Sequence, residues 1–412
     1  MRFSYDRLRQ ILPAEEAILP LSQGEFERSR LFTQATAHIA PFLPDAPEGG
    51  WLNAVYLDLT NGLFPDPSYR RPAQSAPLAR LIDIFEALLA CEEAPYDPLT
   101  DLLPFGEEDT PKYRRFLAAV TQAHFLLTLR ISRELMPFDA ASHTIGVRNI
   151  AVQTALSARA VGLPVDLPLI ASAALCHDIG KFACRGSEAA RVPYLHYYYT
   201  WQWLSERGME DIAHISANHS TWDLEFENLT IESLLLIYAD FRVRGERRDG
   251  KEVMRICSLD EAYDIIRSKL SNVTPEKQRR YQLVYTKLHD FEQFLRTRGV
   301  REDQPPVKTV SKDAALLSRD EILPRLRDMT FESNIRLMHT VSTDASFDLL
   351  LEQARGEKNT QRIRTYLRLF DEYNTYMSRG NKLKLLSFLY ELLMYPEGDV
   401  RRIAGNIMGQ LL

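Results

Sequence analysis

Apolar residues recur three and four positions apart along almost the whole chain, and alternating runs of strand type are scarce. A repeat near 3.6 gathers such residues on one face of a helix, whereas a half-buried strand needs a repeat of two. The chain is therefore expected to be all-α. Its best-delimited helix is expected over 275–299. There Thr274 caps, Pro275 takes the first helical position and Gly299 stops the run. The stripe Tyr281, Val284, Leu288, Phe291 and Leu295 should face a core, with Lys and Arg elsewhere.

At 412 residues the chain is too long for one ordinary core. Punctuation divides it into three regions. A helical N-terminal region covers 1–111, with helices at 24–43 and 76–92. Breaks at Pro44–Gly50 and Pro65–Pro72 lie between these, and a third runs from Pro95 to Pro111. A continuous helical region covers 112–300. After a polar linker from Arg301 to Lys312, a C-terminal region (313–412) offers short amphipathic helices at 319–327, 330–341, 345–355, 359–376, 382–395 and 399–412. The last of these resembles the second helix of a HEAT-type repeat through its D-V-R-x-x-A-x-x-x-x-G pattern. Such arrays bury their faces against neighbouring repeats and bind protein partners. This one ends on Leu411-Leu412 instead of a polar cap, as a piece of a longer chain would.

Composition removes several classes. The net charge of −6 argues against a whole surface that traps nucleic acid, which leaves only a local basic groove open. The four cysteines, Cys91, Cys176, Cys184 and Cys257, form no C-x-x-C pair and read as reduced thiols. Apolar stretches such as Leu167–Cys176 and Leu234–Ala239 are too short to cross a bilayer, and Met1–Asp6 lacks a signal-peptide core. A cytoplasmic location without membrane contact is expected. There is no G-x-G-x-x-G, Walker-type loop, G-x-S-x-G elbow or H-E-x-x-H.

Histidines concentrate between 143 and 219, around Ala173-Ala174-Leu175-Cys176-His177-Asp178-Ile179-Gly180-Lys181. Adjacent residues on a helix diverge by about 100°, so His177 and Asp178 can share one metal only at a helix end or a distortion. Imidazole and carboxylate suit Mn, Fe, Ni, Co, Zn or Mg. His143 lies upstream at a helix start. Asp240 lies downstream, at the end of the apolar run Ile231–Tyr238, where an unpartnered carboxylate would be costly. A second H-D dipeptide, His289-Asp290, falls mid-helix among core residues and reads as structural.

This H…HD…D order, with H-T-x-x-V, L-x-H-D-I-G-K and Y-A-D segments, resembles the HD superfamily of metal-dependent phosphohydrolases over about 143–245. The resemblance implies that His143, His177, Asp178 and Asp240 share a metal ion. In two-metal members further histidines follow the HD pair, and His196 and His219 stand at those places. One or two divalent ions are thus implied. Asn218 departs from the His-His pair of the HD-GYP branch, and no G-Y-P follows Trp222-Asp223, which weakens any reading as a cyclic di-GMP hydrolase. In the family the lysine of H-D-I-G-K sits near the metal, so Lys181 is implied in catalysis and phosphate binding beside Asp178.

Arg185 and Arg191, in the stretch before His196, are candidate phosphate clamps. Arg242 and Arg244 belong to a segment with five basic residues in ten (242–251), expected to be a flexible cationic loop or simply a solvated one. The run Tyr197-Tyr198-Tyr199-Thr200-Trp201-Gln202-Trp203 should be mostly core, with a ring or two free to stack on a base. His214 is expected at the surface, and Asp139 as a helix-start carboxylate. The expected activity is phosphoester hydrolysis of a nucleotide, cyclic nucleotide or other phosphodiester. The alternatives are a nucleotide-sensing scaffold whose C-terminal helices hold a protein, and an HD nuclease whose 242–251 segment and 275–299 helix line one groove.

Overall fold

A computed structural model describes residues 31–91, 110–136, 139–220, 229–248, 251–269, 274–301 and 319–411. The expected helix start at 24–30, most of the 95–111 break and the linker from 302 onward lie outside these residues. The described chain is α-helical apart from one two-stranded antiparallel ribbon.

In chain order, α1 is Leu31–Ile39, α2 Gly50–Leu63, α3 Ser75–Cys91, α4 Pro111–Gln122, α5 Phe125–Leu135, α6 Ala140–Ala160 and α7 Leu167–Cys176. Two 3-10 turns, Ile179–Ala183 and Gly186–Arg191, lead into α8, Val192–Ser205. Then come α9 (Glu210–Ala217), α10 (Ile231–Arg242), the strands β1 (Val243–Arg248) and β2 (Lys251–Ile256), α11 (Leu259–Lys269) and α12 (Pro275–Thr297). The last five helices are α13 (Arg319–Ser342), α14 (Asp344–Gly356), α15 (Thr360–Glu372), α16 (Arg379–Leu392) and α17 (Gly398–Leu411). The chain divides into two compact units, one of Met1–Val147, Leu175–Arg207 and Val243–Ile256, the other of Arg148–Ala174, Gly208–Arg242 and Cys257–Leu412.

The first unit is centred on Phe32, Ile39, Val55, Leu81, Phe85 and Ile131, from α1, α2, α3 and α5. Helix α2 was not expected between its two flanking breaks. Its stripe of Trp51, Val55, Leu59 and Leu63 is buried, and Gly49 and Gly50 enter it at φ of 80° and 85°, which a side chain rarely adopts. The 242–251 segment is likewise corrected. It is the end of α10 followed by the ribbon, with Val243 paired to Ile256 and Arg248 to Lys251. Cross-strand backbone pairing overrides a polar sequence that shows no alternation.

In the second unit α10 is buried nearly all round. Its Tyr238 hydroxyl donates to Glu292 Oε1 of α12 at 2.9 Å and accepts from Arg242 Nη1 at 2.9 Å. The α12 boundaries are those expected: Thr274 accepts the Lys277 amide, and Gly299 has φ 79°. His289 is exposed, not among core residues, and Asp290 pairs with Arg327. The helices expected at 319–327 and 330–341 are one helix, α13. Phe331 packs on Phe291 and Phe294 of α12, and Glu332 pairs with Arg298, carrying the helix through.

From α14 onward side chains meet partners at a nearly fixed separation. Asp348 pairs with Lys384 and Arg355 with Glu391, each 36 residues apart, and Arg364 with Asp399, 35 apart. Beneath these lie Phe347, Phe370, Phe388 and Val400. A constant offset is what tandem helix pairs produce when each stacks on the next.

Candidate metal centre

Helix α7 ends at Cys176, so His177 and Asp178 leave the chain at a helix end, where vicinal side chains can converge. The following 3-10 turn is pinned from one side. Thr200 Oγ1 of α8 donates to the His177 carbonyl at 3.1 Å and accepts the Gly180 amide at 3.1 Å. Gly180 has no room for a side chain, since a Cβ there would lie 2.0 Å from the His196 carbonyl oxygen. The close approach delivers His196 to the same place.

Within the first unit four donors surround one carboxylate. Asp178 Oδ2 is 3.4 Å from His177 Nε2 and 3.5 Å from His143 Nε2, and these two nitrogens are 3.4 Å apart. Asp178 Oδ1 is 3.7 Å from His196 Nε2. His177, Asp178 and His196 are buried and His143 is half-buried. Lys181 Nζ lies 2.6 Å from Asp178 Oδ2. Burial pushes the Asp178 carboxyl up, but the Lys181 ammonium and then the surrounding imidazoles hold it well below the usual carboxylate range.

Two histidines have their tautomers set by backbone. His196 Nδ1 is 2.6 Å from the Val192 carbonyl oxygen and His219 Nδ1 2.5 Å from that of Ser216. A carbonyl only accepts, so each Nδ1 carries the proton and each Nε2 keeps a lone pair for a metal. His143 stands on the first turn of α6, which Asp139 caps by accepting from the Ser142 amide at 2.9 Å and its hydroxyl at 2.6 Å. Asp139 thus takes its expected role as a helix-start carboxylate.

The described His and Asp side chains that can hold a metal ion include His143, His177, Asp178, His219 and Asp240. The last two belong to the second unit, where His219 is buried just past α9 and Asp240 is half-buried in the last turn of α10. This donor set, imidazole nitrogens with carboxylate oxygens and no thiolate, suits a divalent ion of borderline or hard character.

The expected phosphate clamps are placed unevenly. Arg185 donates to the carbonyls of Phe182 and Thr60 and faces Asp66, so it ties the 3-10 turn to the end of α2. Arg191 is exposed at the end of the second 3-10 turn. Arg242 donates from Nε to the Cys257 carbonyl at 2.8 Å as well as to Tyr238. Arg244 is half-buried on β1. The core reading of the aromatic run holds for Trp203, whereas Tyr198 and Trp201 are exposed and Tyr197 lies against the His196 ring at 3.8 Å. His214 is corrected from surface to half-buried. It packs edge-on to Tyr376 at 5.2 Å, and burial with nearby Lys382 lowers its pKa to about 4. Residues 222–226, which stand where G-Y-P would, lie outside the described residues.

Cys176, Cys184 and Cys257 are buried free thiols. No helix among the described residues is long and apolar enough to cross a membrane. Compared with protein-family models, with curated proteins and with solved structures, the chain gives no match.

Proposed function

We propose that the chain is a metal-dependent phosphohydrolase of HD type. The observation that carries the reading is the convergence of His143, His177 and His196 on the buried Asp178 carboxylate. Three imidazole nitrogens gathered on one buried carboxylate are the mixed nitrogen and oxygen donor set that a divalent cation takes. His143, His177 and Asp178, with His196 beside them, would hold a divalent ion, Mn, Fe, Ni, Co, Zn or Mg; the HD resemblance adds Asp240 as a ligand of the first ion and assigns His196 and His219 to a second. Bound there, such ions acidify water and polarise a phosphoryl oxygen.

The protein's own groups supply the rest. The Val192 and Ser216 carbonyls fix the His196 and His219 tautomers. Thr200 fixes the turn that carries His177 and Asp178. Lys181, half-exposed and within reach of Asp178, neutralises charge on a phosphate held at the centre. The substrate class is a phosphoester, such as a nucleotide or other phosphodiester. The test is elemental analysis of purified wild type and Asp178→Ala, with hydrolysis of bis-p-nitrophenyl phosphate in added Mn²⁺. One or two ions per chain, lost with activity in the variant, supports the reading. A wild type that holds no metal and cleaves nothing when Mn²⁺ is supplied would reject it.

A second reading, a scaffold that binds a nucleotide and a protein, draws on the repeated 35- and 36-residue offsets in α14–α17. It predicts nucleotide binding without turnover in the same assay.

A further inference from the structure

The 3-10 turn after His177 and Asp178 has little to hold it from within. Its backbone hydrogen bonds run from the Lys181 amide to the Asp178 carbonyl at 3.0 Å and from the Cys184 amide to the Lys181 carbonyl at 3.4 Å. Bonds of this i to i+3 kind are poorly aligned, so a turn this short keeps its shape against neighbours. Thr200 of α8 holds its first half, through His177 and Gly180. Its second half is held from α5 and α2. The Phe182 ring packs edge-on to Phe125 of α5 at 6.2 Å, and the Phe182 carbonyl accepts from Arg185 Nε at 3.2 Å.

Arg185 turns each of its three guanidinium nitrogens to a protein acceptor. Besides Nε, Nη2 donates to the Thr60 carbonyl in the last turn of α2, and Nη1 lies 4.0 Å from Asp66 Oδ2. The carbonyl end of a helix carries partial negative charge, which suits a cation there. The receiving side is built without Arg185. The Asp66 amide donates to Asn61 Oδ1 at 2.8 Å, and Asp66 Oδ1 accepts the Ser68 amide at 2.8 Å and its hydroxyl at 2.7 Å. Both Ser68 bonds go to Oδ1 and leave Oδ2 to Arg185. A planar fork with fixed donor directions joins three acceptors in one geometry, and the point charge of a lysine does not. A phosphate would take Arg185 only by breaking charge-assisted bonds already made.

We propose that Arg185 is a positioning residue, through which the end of α2 and the segment 61–68 set the turn that carries Asp178 and Lys181. Helix α2, in the N-terminal region, is then a working part of the centre, although the donors gathered there come from later residues. That Asp178 and Lys181 act on a phosphate rests on the hydrolase reading; the tie between α2 and the turn does not.

Wild type, Arg185→Lys, Arg185→Gln and Asp66→Asn are compared as full chains, well below the lowest melting temperature among them. Hydrogen exchange read by mass spectrometry follows the turn amides in EDTA. Kinetics on bis-p-nitrophenyl phosphate with Mn²⁺ give kcat and KM, with inorganic phosphate as the competing anion. Exchange at 178–185 is expected to quicken about tenfold in both Arg185 variants, the factor that one hydrogen bond to a charged group is worth. Their kcat should fall by about tenfold or more, with KM and phosphate inhibition little changed, as misplaced catalytic groups produce. Asp66→Asn keeps the Ser68 bonds and removes only the charge facing Arg185. It should move exchange and kcat the same way by a smaller factor, and it decides alone if neither Arg185 variant folds. If Arg185→Gln raises KM and the phosphate inhibition constant about tenfold while Arg185→Lys does not, and exchange is unchanged, Arg185 is a phosphate clamp and the proposal is overturned. Exchange at 178–185 that no variant alters overturns it as well. If exchange quickens in the variants while wild type cleaves nothing, the tie stands and the hydrolase reading falls.

Discussion

Thr200 holds His177 by its backbone: the hydroxyl donates to the His177 carbonyl at 3.1 Å while accepting the Gly180 amide at 3.1 Å. One buried side chain thereby couples the helix that carries His196 to the turn that carries His177 and Asp178. Thr200→Val keeps the shape and leaves a buried carbonyl and a buried amide without that partner. A loss of about 2 to 3 kcal/mol is expected by urea denaturation. Metal content should fall as well, with Thr200→Ser restoring most of both. A valine variant with unchanged stability and metal content would show that the turn is set by other contacts.

Gly180→Ala should be far more damaging than its single methyl implies. The added carbon meets the His196 carbonyl at 2.0 Å and the Thr200 amide at 2.6 Å, both backbone atoms that cannot rotate aside. Separating α8 from the turn is expected to cost about 3 kcal/mol or more. Thermal unfolding of the variant, or its failure to express in soluble form, checks this. A melting temperature within a degree or two of wild type would contradict the packing described.

Lys181 competes for the oxygen that a metal would use, since its ammonium lies 2.6 Å from Asp178 Oδ2. Lys181→Met is therefore expected to bind Mn²⁺ about fivefold more tightly, the factor equivalent to a partly exposed ion pair of roughly 1 kcal/mol. Turnover of bis-p-nitrophenyl phosphate should drop in the same variant. Tighter metal with undiminished turnover would remove Lys181 from the chemistry.

Glu232 gives a pH dependence with a definite sign. Burial raises its carboxyl to about 7 despite the Asp166 amide, which donates to Oε1 at 2.8 Å. The folded state thus holds its proton more tightly than the unfolded chain, whose value is near 4.5. Stability from this group is complete below that value and is lost as pH rises towards and through about 7. Between pH 5 and pH 8 wild type should lose on the order of 2 to 3 kcal/mol more than Glu232→Gln. Equal losses in the two proteins would mean that the carboxyl is ionised in the folded state throughout.

Much of this arrangement is written locally in the sequence. The α12 boundaries follow from Thr274, Pro275 and Gly299, and the need for a helix end at His177-Asp178 follows from geometry alone. What escaped is what depends on partners distant in sequence. Helix α2 was hidden by glycine and proline on both sides, although Trp51, Val55, Leu59 and Leu63 are spaced as a helical stripe. The ribbon was hidden because its charges break any alternation; the Asp249-Gly250 dipeptide was the one hairpin signal available. The continuity of α13 rests on Phe331 meeting α12. The exposed Tyr198 and Trp201 share a stretch with buried Trp203, and only the direction of α8 separates them.

The fixed offset along α14–α17 also limits how this part of the chain can change length. Each rung, such as Arg355 to Glu391, is drawn between equivalent places in successive helix pairs. An inserted segment of about 36 residues would slot in as a whole step and preserve every rung on either side. An insertion of half that size would instead set each helix against the wrong neighbour. Growth or trimming here is quantised, and lengths between whole steps fall where the ladder cannot close.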